Sequence, residues 1–311
     1  MAVVSSGAII QDTDFNNLRN RIAAIMGTGS GTTGYGQALA SVTVAQGTVI
    51  DADHYNGLFT DITKAYAHQF GSLPTTLANV AVGDIIGANS SDGTSAAYQG
   101  INDIDAVLIT VESNPLRSHS SQMTNEAKIN NSRTSAWNGT IDHQVTVTFN
   151  DANHRRYFFN TGGEIRLRAG LTGGLSATAG TKDYDWRIML SNMGTFKMSY
   201  NTTTVTGSGS GSAVGDRDLT TSNQLIGSKS GSGVYAENRY YIYARAPSSN
   251  QLLFTIQFQD NDIGDDRIVD AYTYRVDENV TGTLTSYVDQ YRATGSYVSV
   301  ASPGYLNSNT L

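Results

Sequence analysis

Residues 239–258 read RYYIYARAPSSNQLLFTIQF. Two runs, RYYIYARA (239–246) and LLFTIQF (252–258), flank the turn-forming stretch PSSNQ. Alternating side chains of β-branched and aromatic type mark both runs as strands. In the first run Tyr240 and Ile242 share one face, while Tyr241 and Tyr243 share the other. Both faces are therefore apolar, and such a strand needs cover on both sides from a sheet, a helix or a neighbouring chain. The same period of two recurs in QVTVTF (144–149), RRYFF (155–159), EIRLRA (164–169), TFKMSY (195–200) and VTGTLTSYVDQYRA (280–293). Glycine- and Asx-rich turns separate these runs: NTGG (160–163), TGG (172–174), GSGSGSAVG (207–215) and KSGSGVY (229–235). One helix interrupts them, KDYDWRIMLSNMG (182–194), with Asp183 as its candidate cap and Trp186, Met189, Leu190 and Met193 as its buried side. Residues 139–301 thus read as a mainly antiparallel β-sandwich or jelly-roll-like domain, followed by a polar extended tail, 302–311.

Residues 1–138 read differently, as a helix-containing region. IQDTDFNNLRNRI (10–22) is echoed by IDADHYNGLFTDI (50–62) at an offset of 40 positions. Each copy has an acidic start and one apolar stripe, Phe15, Leu18 and Ile22 in the first, Tyr55, Leu58 and Ile62 in the second. Gly27 and Gly71 are the expected stops. The echo suggests a duplication, with a β-like insert, QALASVTV (37–44), between the helices. Residues 101–113 fit helix or strand, and HSSQMTNEAKINNSRTSA (119–136) is expected to be a polar helix lying against another surface. The whole chain is expected to be α+β: short N-terminal helices, then the β domain.

Composition narrows the function. The 311 residues carry a net charge of −7, and charged residues are only 15 % of the total. An acidic chain without a concentrated basic face is a poor nucleic-acid binder. Fifteen of the 20 basic residues are Arg, a type suited to planar interface contacts. With no Cys, no disulfide, thiolate metal site or cysteine nucleophile can form. Met1 to Ile10 does not read as a secretory signal, and no apolar run is long enough for a membrane span.

Candidate chemistry is sparse. The acidic run QDNDIGDDRIVD (259–270) offers Asp260, Asp262, Asp265 and Asp266 as Ca²⁺ ligands around a glycine turn. Its spacing departs from the calcium-loop pattern, and Asp and Asn are turn formers in their own right, so a plain turn is the first reading and an ion site the alternative. His54, His68, His119, His143 and His154 lack metal-pair spacing and are read as surface or interface hydrogen-bonding groups. GTGSGTTG (27–34) and GSGSG (207–211) fail the G-x-S-x-G pattern of a nucleophile elbow and are read as turns. Glu164 and Glu237 lie in β regions without any glycosidase signature. Tyr235, Tyr240, Tyr241 and Tyr243, with Trp137 and Trp186, could line a sugar-binding face, but tyrosine on alternating strand positions is first a packing residue. Neither a reaction nor a cofactor is expected.

Several segments resemble a recurrent type of virion structural protein in contractile-tailed phages of marine cyanobacteria. They are RRYFFNTGGEIRLRAGLTGG (155–174), DWRIMLSNMGTF (185–196), SGSGVYAENRYYIYAR (230–245), ENVTGTLTSYVDQYRATG (278–295), YNGLFTDITKAYAHQFG (55–71) and GSGTTGYGQ (29–37). The resemblance implies a non-enzymatic particle component of tail, neck, baseplate or fibre, made in the host cytoplasm and located in the virion. It implies copies of itself and other virion proteins as partners. A fibre or adhesin that binds a host-surface glycan is the alternative, and a capsid decoration protein a second one. On this reading Phe15, Leu18, Ile22, Tyr55, Leu58, Ile62, Tyr240, Tyr241 and Tyr243 are the interface candidates.

Overall fold

A computed structural model describes residues 5, 9–92, 99–262, 264, 267–269, 272–274, 277–309 and 311. The chain is α+β, with five α-helices and two large antiparallel sheets among the described residues. It divides into two compact units. The first comprises Met1–Thr124, Arg156–Gly162 and Arg292–Ala301; the second comprises Asn125–Arg155, Gly163–Tyr291 and Ser302–Leu311. No helix among the described residues is long and apolar enough to cross a membrane.

The first unit is built on α1 (Asp12–Met26) and α2 (Ala52–Phe70), followed by a parallel strand pair, β1 (Ile86–Gly87) and β2 (Gln99–Gly100), and by α3 (Ile101–Glu112). Asp14 accepts from Gln11 N–H (2.9 Å) at the start of α1, and Asp51 accepts from His54 N–H (3.1 Å) at the start of α2. Such caps satisfy amides that the helix itself cannot. Gly71 ends α2 in the left-handed region at φ 84°, and a side chain there would strike the His119 ring. The two apolar stripes meet: Phe15 and Tyr55 pack edge to face, 5.6 Å apart. Ile101, Ile104, Leu108 and Val111 of α3 complete this core, and Arg21 crosses from α1 to the carboxylates of Glu112 and Asp105.

The same side-chain bracket occurs after each of the first two helices. The Asn16 amide donates to Val44 C=O (2.8 Å) and accepts from Val44 N–H (3.1 Å). The Asn56 amide does the same to Val80, at 3.0 and 2.9 Å. One residue further on, each returning segment makes a turn with a left-handed glycine, Gly47 (φ 82°) and Gly83 (φ 99°). The β-like insert over 37–44 is not a strand: Asn16 pairs the backbone of Val44, and the Asp61 carboxylate accepts from Ala40 N–H and Ser41 N–H, both at 2.9 Å.

The second unit is the sandwich. Its elements in chain order are β3 (Met123–Arg133), β4 (Gly139–Thr148), the first residues of α4 (Ala152–Asn160), whose remainder from Arg156 belongs to the first unit, β5 (Glu164–Thr172), α5 (Lys182–Met193), β6 (Phe196–Met198), β7 (Thr203–Val205), β8 (Ser210–Gly211) and β9 (Gln224–Ser230). β10 (Arg239–Ser248), β11 (Gln251–Asp260), β12 (Arg267–Val269), β13 (Tyr272–Tyr274), β14 (Thr283–Ala293) and β15 (Gly304–Asn309) follow. One sheet has the order β15-β4-β11-β10-β9-β8 and the other β3-β14-β5-β6-β7. Val145, Val147, Phe254, Ile256, Phe258, Tyr240 and Ile242 from the first sheet, and Ile165, Leu167, Phe196, Leu284 and Val288 from the second, are fully or almost fully buried. Gly227 of β9 packs on the Phe196 ring, so the sheets meet directly there. α5 packs on β5 and β9, with Trp186 against Trp137 and Phe258.

Three local expectations are corrected. Residues 119–136 do not form a helix: Met123–Arg133 is strand β3, because no apolar stripe could seat a helix, whereas β14 satisfies the backbone of a strand. RRYFF (155–159) lies in helix α4 instead of a strand. Asp151 accepts from His154 N–H (2.7 Å) at its start, and Arg155, Phe158 and Phe159 recur at helical spacing on its covered side. α5 is capped by Thr181, which accepts from Tyr184 N–H (3.2 Å), and Asp183 does other work. The polar tail is extended over Gly304–Asn309, which pairs with β4 as an edge strand.

The Asn56→Ala substitution is expected to lower stability by about 1–2 kcal/mol, because it strands a backbone amide and carbonyl that Asn56 alone pairs. Urea unfolding of this variant beside wild type is the measurement. A change under about 0.3 kcal/mol would show that the bracket is dispensable.

Candidate functional site

The densest polar cluster of the sandwich gathers at the start of α5. Lys182 is fully buried, and its ammonium donates to Asp260 Oδ2 (3.1 Å), Asp262 C=O (3.0 Å) and Glu278 C=O (3.1 Å). Asp183 accepts from Leu175 N–H (2.8 Å) and Thr281 N–H (2.6 Å), and the Asp277 carboxylate accepts from Lys182 N–H (3.2 Å). Asp185 Oδ1 accepts from Ser232 N–H (3.1 Å) and Ser232 Oγ (2.5 Å). One helical turn thereby fastens four separate loops. Burial pushes the Asp260 carboxyl up to about 6, against the downward pull of the Lys182 ammonium.

This geometry settles where two of the four candidate calcium ligands lie. Asp260 and Asp262 do converge on a cation, and the cation is Lys182 of the same chain. Asp265 and Asp266 lie outside the described residues. Among the described residues, no group of three or more His, Asp or Glu side chains is placed to hold a metal ion.

Beside the cluster, α5 and the turn after β9 enclose a cleft of about 320 Å³. Thr181, Tyr184, Asp185 and Ile188 line it from the helix, and Ser232, Val234 and Tyr235 from the turn. Asp185 is 7 % exposed, its Oδ2 has no hydrogen-bond partner, and burial raises its carboxyl above the ordinary value. Burial likewise pushes the Tyr235 hydroxyl up to about 12. A backbone hydrogen bond from Asp277 opposes this, and the carboxylates of Asp277, Asp262 and Asp185 add to it.

The interface candidates separate into two groups. Phe15, Leu18, Ile22, Tyr55, Leu58 and Ile62 are core residues of the first unit, none more than 4 % exposed. Tyr240 is core in the sandwich, with its hydroxyl unpartnered. Tyr241 and Tyr243 point to the other face of β10, half-buried, with rings 6.0 Å apart. Cross-strand register places Leu225 beside Tyr243, and Leu253 beside Thr146, which in turn faces Leu306. Leu225 is 45 % exposed and Leu306 66 %, so this outer face presents tyrosine and leucine side chains interleaved with Gln257, Thr255, Arg245 and Thr146.

The histidines are not all surface groups. His68 and His143 are fully buried. Burial lowers His68 to about 4, and His143 is lowered for the same reason, opposed by its bond to Asn307. His143 joins three strands, bonding Ser286 Oγ of β14 (2.9 Å) and Asn307 Oδ1 of β15 (2.8 Å). A Ser–His–Asn line has the composition of a catalytic relay, but Ser286 and His143 are both fully enclosed, leaving no approach for a substrate. His54 and His154 lie in helix first turns, and His119 caps a short 3₁₀ turn.

Sequence reasoning missed Lys182 and a ladder on the second sheet. There Arg168 stacks on Tyr287 (3.9 Å) and Arg166 on Tyr291 (4.0 Å), with Asp289 and Glu164 as their anionic partners. Arg-x-Arg in EIRLRA and Tyr-x-x-x-Tyr in SYVDQY carried the signal, and only the pairing of β5 with β14 brings them together. Glu164 is thus an ion-pair partner, while Glu237 offers its carbonyl to Asn261.

Comparison of the chain with models of known protein families, with curated proteins and with solved structures returns no match.

Two outcomes are expected of the Lys182 cluster. Lys182→Met leaves the buried Asp260 charge unpaired and should destabilise the chain by about 3–5 kcal/mol in urea unfolding, with Asp260→Asn recovering part of the loss in the double variant. The folded-state value of Asp260 lies above its ordinary 3.8, so the folded form binds the proton more tightly. The contribution of this carboxyl to stability is therefore greatest below 3.8 and is lost as pH rises through about 6. The stability of wild type minus that of Asp260→Asn, followed across this window, should fall with rising pH; a flat or rising difference contradicts the assignment.

Proposed function

We propose that the chain is a non-enzymatic structural subunit of a tailed-phage virion, working in tail, neck, baseplate or fibre by packing against copies of itself and other virion proteins. The observation that carries this reading is the outer face of β10 and its neighbours. Tyr241, Tyr243, Leu225, Leu253 and Leu306, interleaved with polar side chains, form a tyrosine- and leucine-rich face turned away from the core of the sandwich. Tyrosine-centred faces of this kind are typical energetic centres of protein interfaces. The sequence resemblance supports the particle context. The reactive groups support a passive role: Lys182, Arg155, His68 and His143 are each bonded within the scaffold. A host-surface glycan adhesin is the second reading, favoured by the exposed tyrosine pair, whose rings could stack on sugar faces.

A Tyr241→Ser/Tyr243→Ser double variant discriminates. On the assembly reading it keeps the wild-type circular dichroism spectrum and raises the concentration needed for self-association, or for binding to purified particle parts, by tenfold or more, equivalent to about 1.4 kcal/mol. Immunogold labelling places the chain in the body of the particle. Unchanged association, or absence from particles, removes this proposal. Loss of glycan-array binding by a chain at a distal tip selects the adhesin instead.

A further inference from the structure

The cleft between α5 and the Ser232–Tyr235 turn shares no residue with the tyrosine patch, and nothing in the assembly reading uses it. Its walls combine three properties. Tyr184, Ile188, Val234 and Tyr235 make it largely apolar and aromatic. Its floor holds Asp185, buried and with one carboxylate oxygen unpartnered. Its surroundings are negative: among the described residues, Asp183, Asp185, Asp260, Asp262 and Asp277 gather around the start of α5, against the single buried ammonium of Lys182. Of the other cations nearby, Arg187 stacks on the Tyr184 ring at 4.8 Å and donates to Ser176 C=O (2.6 Å), and Arg239 donates to the carbonyls of Ala236 and Asn238.

We infer that this cleft binds an alkylammonium group, either a quaternary headgroup of the choline type or a lysine side chain. Aromatic surface and a desolvated carboxylate are the two requirements for holding such a cation. An anion is repelled by the carboxylates. A divalent metal finds only one carboxylate in the cleft wall, against the six or more oxygen ligands that calcium takes. A guanidinium is poorly matched, because Asp185 Oδ1 is already occupied by Ser232 and no two-oxygen fork remains. A quaternary group suits the geometry well. Asp185 Oδ2 is shut off from solvent beside Gly231, so Asp185 acts on a bound cation by charge and not by a direct hydrogen bond from Oδ2. The volume, about 320 Å³, is at the small end of ligand sites and fits a group of few heavy atoms. Gly180 and Gly233 on the lining have positive φ and open space where side chains would stand, leaving the mouth clear.

The test is saturation-transfer NMR on the full chain with choline, n-butylammonium and methyl glucoside as parallel ligands. Choline or n-butylammonium should bind with a dissociation constant of about a millimolar, the weak range expected of so small a ligand. Asp185→Asn, which keeps an oxygen for Ser232, should weaken binding tenfold or more with an unchanged circular dichroism spectrum. Tyr184→Ala, whose ring is half exposed, provides an independent second variant with the same expected loss. Tighter choline binding identifies the headgroup source, and tighter n-butylammonium binding identifies a partner's lysine. No binding of either cation, equal binding by methyl glucoside, or full binding by both variants overturns the inference. None of these outcomes bears on the tyrosine patch, so the assembly reading stands or falls separately.

Discussion

The buried ammonium of Lys182 is the constraint around which one end of the sandwich is organised. A charge without exposure to water is tolerated only when its donors are all satisfied. Here three oxygens, from Asp260, Asp262 and Glu278, meet that demand. They come from two distant stretches of chain, Asp260 and Asp262 at and just after the end of β11 and Glu278 before β14, so the ammonium dictates where β11 must end and where the segment before β14 must pass. Asp183 and Asp185 on the same helical turn extend the hold to the loops after β5 and β9. Asp260 is reluctant to ionise even beside its partner, because the desolvation of its carboxyl outweighs the attraction of Lys182. Such a pair defines one arrangement of loops more than it adds net stability.

A second buried pair follows the same logic. Arg155 bonds Asp216 (2.8 Å) and the carbonyls of Ser248 and Ser249, fixing the turn between β10 and β11 and the segment after β8. Burial pushes Asp216 up to about 6 against the pull of Arg155. The first unit relies on a different device. Its helices are joined by apolar packing, and its irregular segments are held by amide side chains that substitute for a neighbouring strand. Asn16 and Asn56 do this for Val44 and Val80, and Asn160 does it for the glycine turn at 31–34. Low charge and abundant small polar residues, visible in the composition, are the raw material for this kind of bonding.

These internal commitments clarify what is left for partners. The buried histidines, the two ion pairs and the paired helix stripes are already engaged within the chain. What faces outward is sheet surface: the tyrosine patch on one sheet and the Arg–Tyr ladder on the other. The ladder is self-contained, each guanidinium having both a ring and a carboxylate, whereas the rings of Tyr241 and Tyr243 contact only each other in the ring contacts of their face and stand beside the exposed Leu225. That difference is why the patch, and not the ladder, carries the assembly reading.

The sequence by itself determined α1 and α2 of the first unit and the strands β4, β5, β6, β10, β11 and β14 of the second, because period and caps are local properties. Phe15, Leu18 and Ile22 had to share a helix face, and Tyr240 and Ile242 had to share a strand face, whatever surrounded them. It could not decide RRYFF, where aromatic residues suit a strand but Asp151 and the spacing of Phe158 and Phe159 suit a helix, nor residues 123–133, where only pairing with β14 makes a polar segment a strand. Which apolar stripe lies inside the chain and which faces a partner was equally out of reach, since periodicity marks a covered face without naming the cover. Above all, the acidic run at 259–270 shows no sign of Lys182, about eighty positions earlier. The ammonium and its oxygens become neighbours only when the sheets close, because electrostatic satisfaction is settled by distance in space and not by distance along the chain.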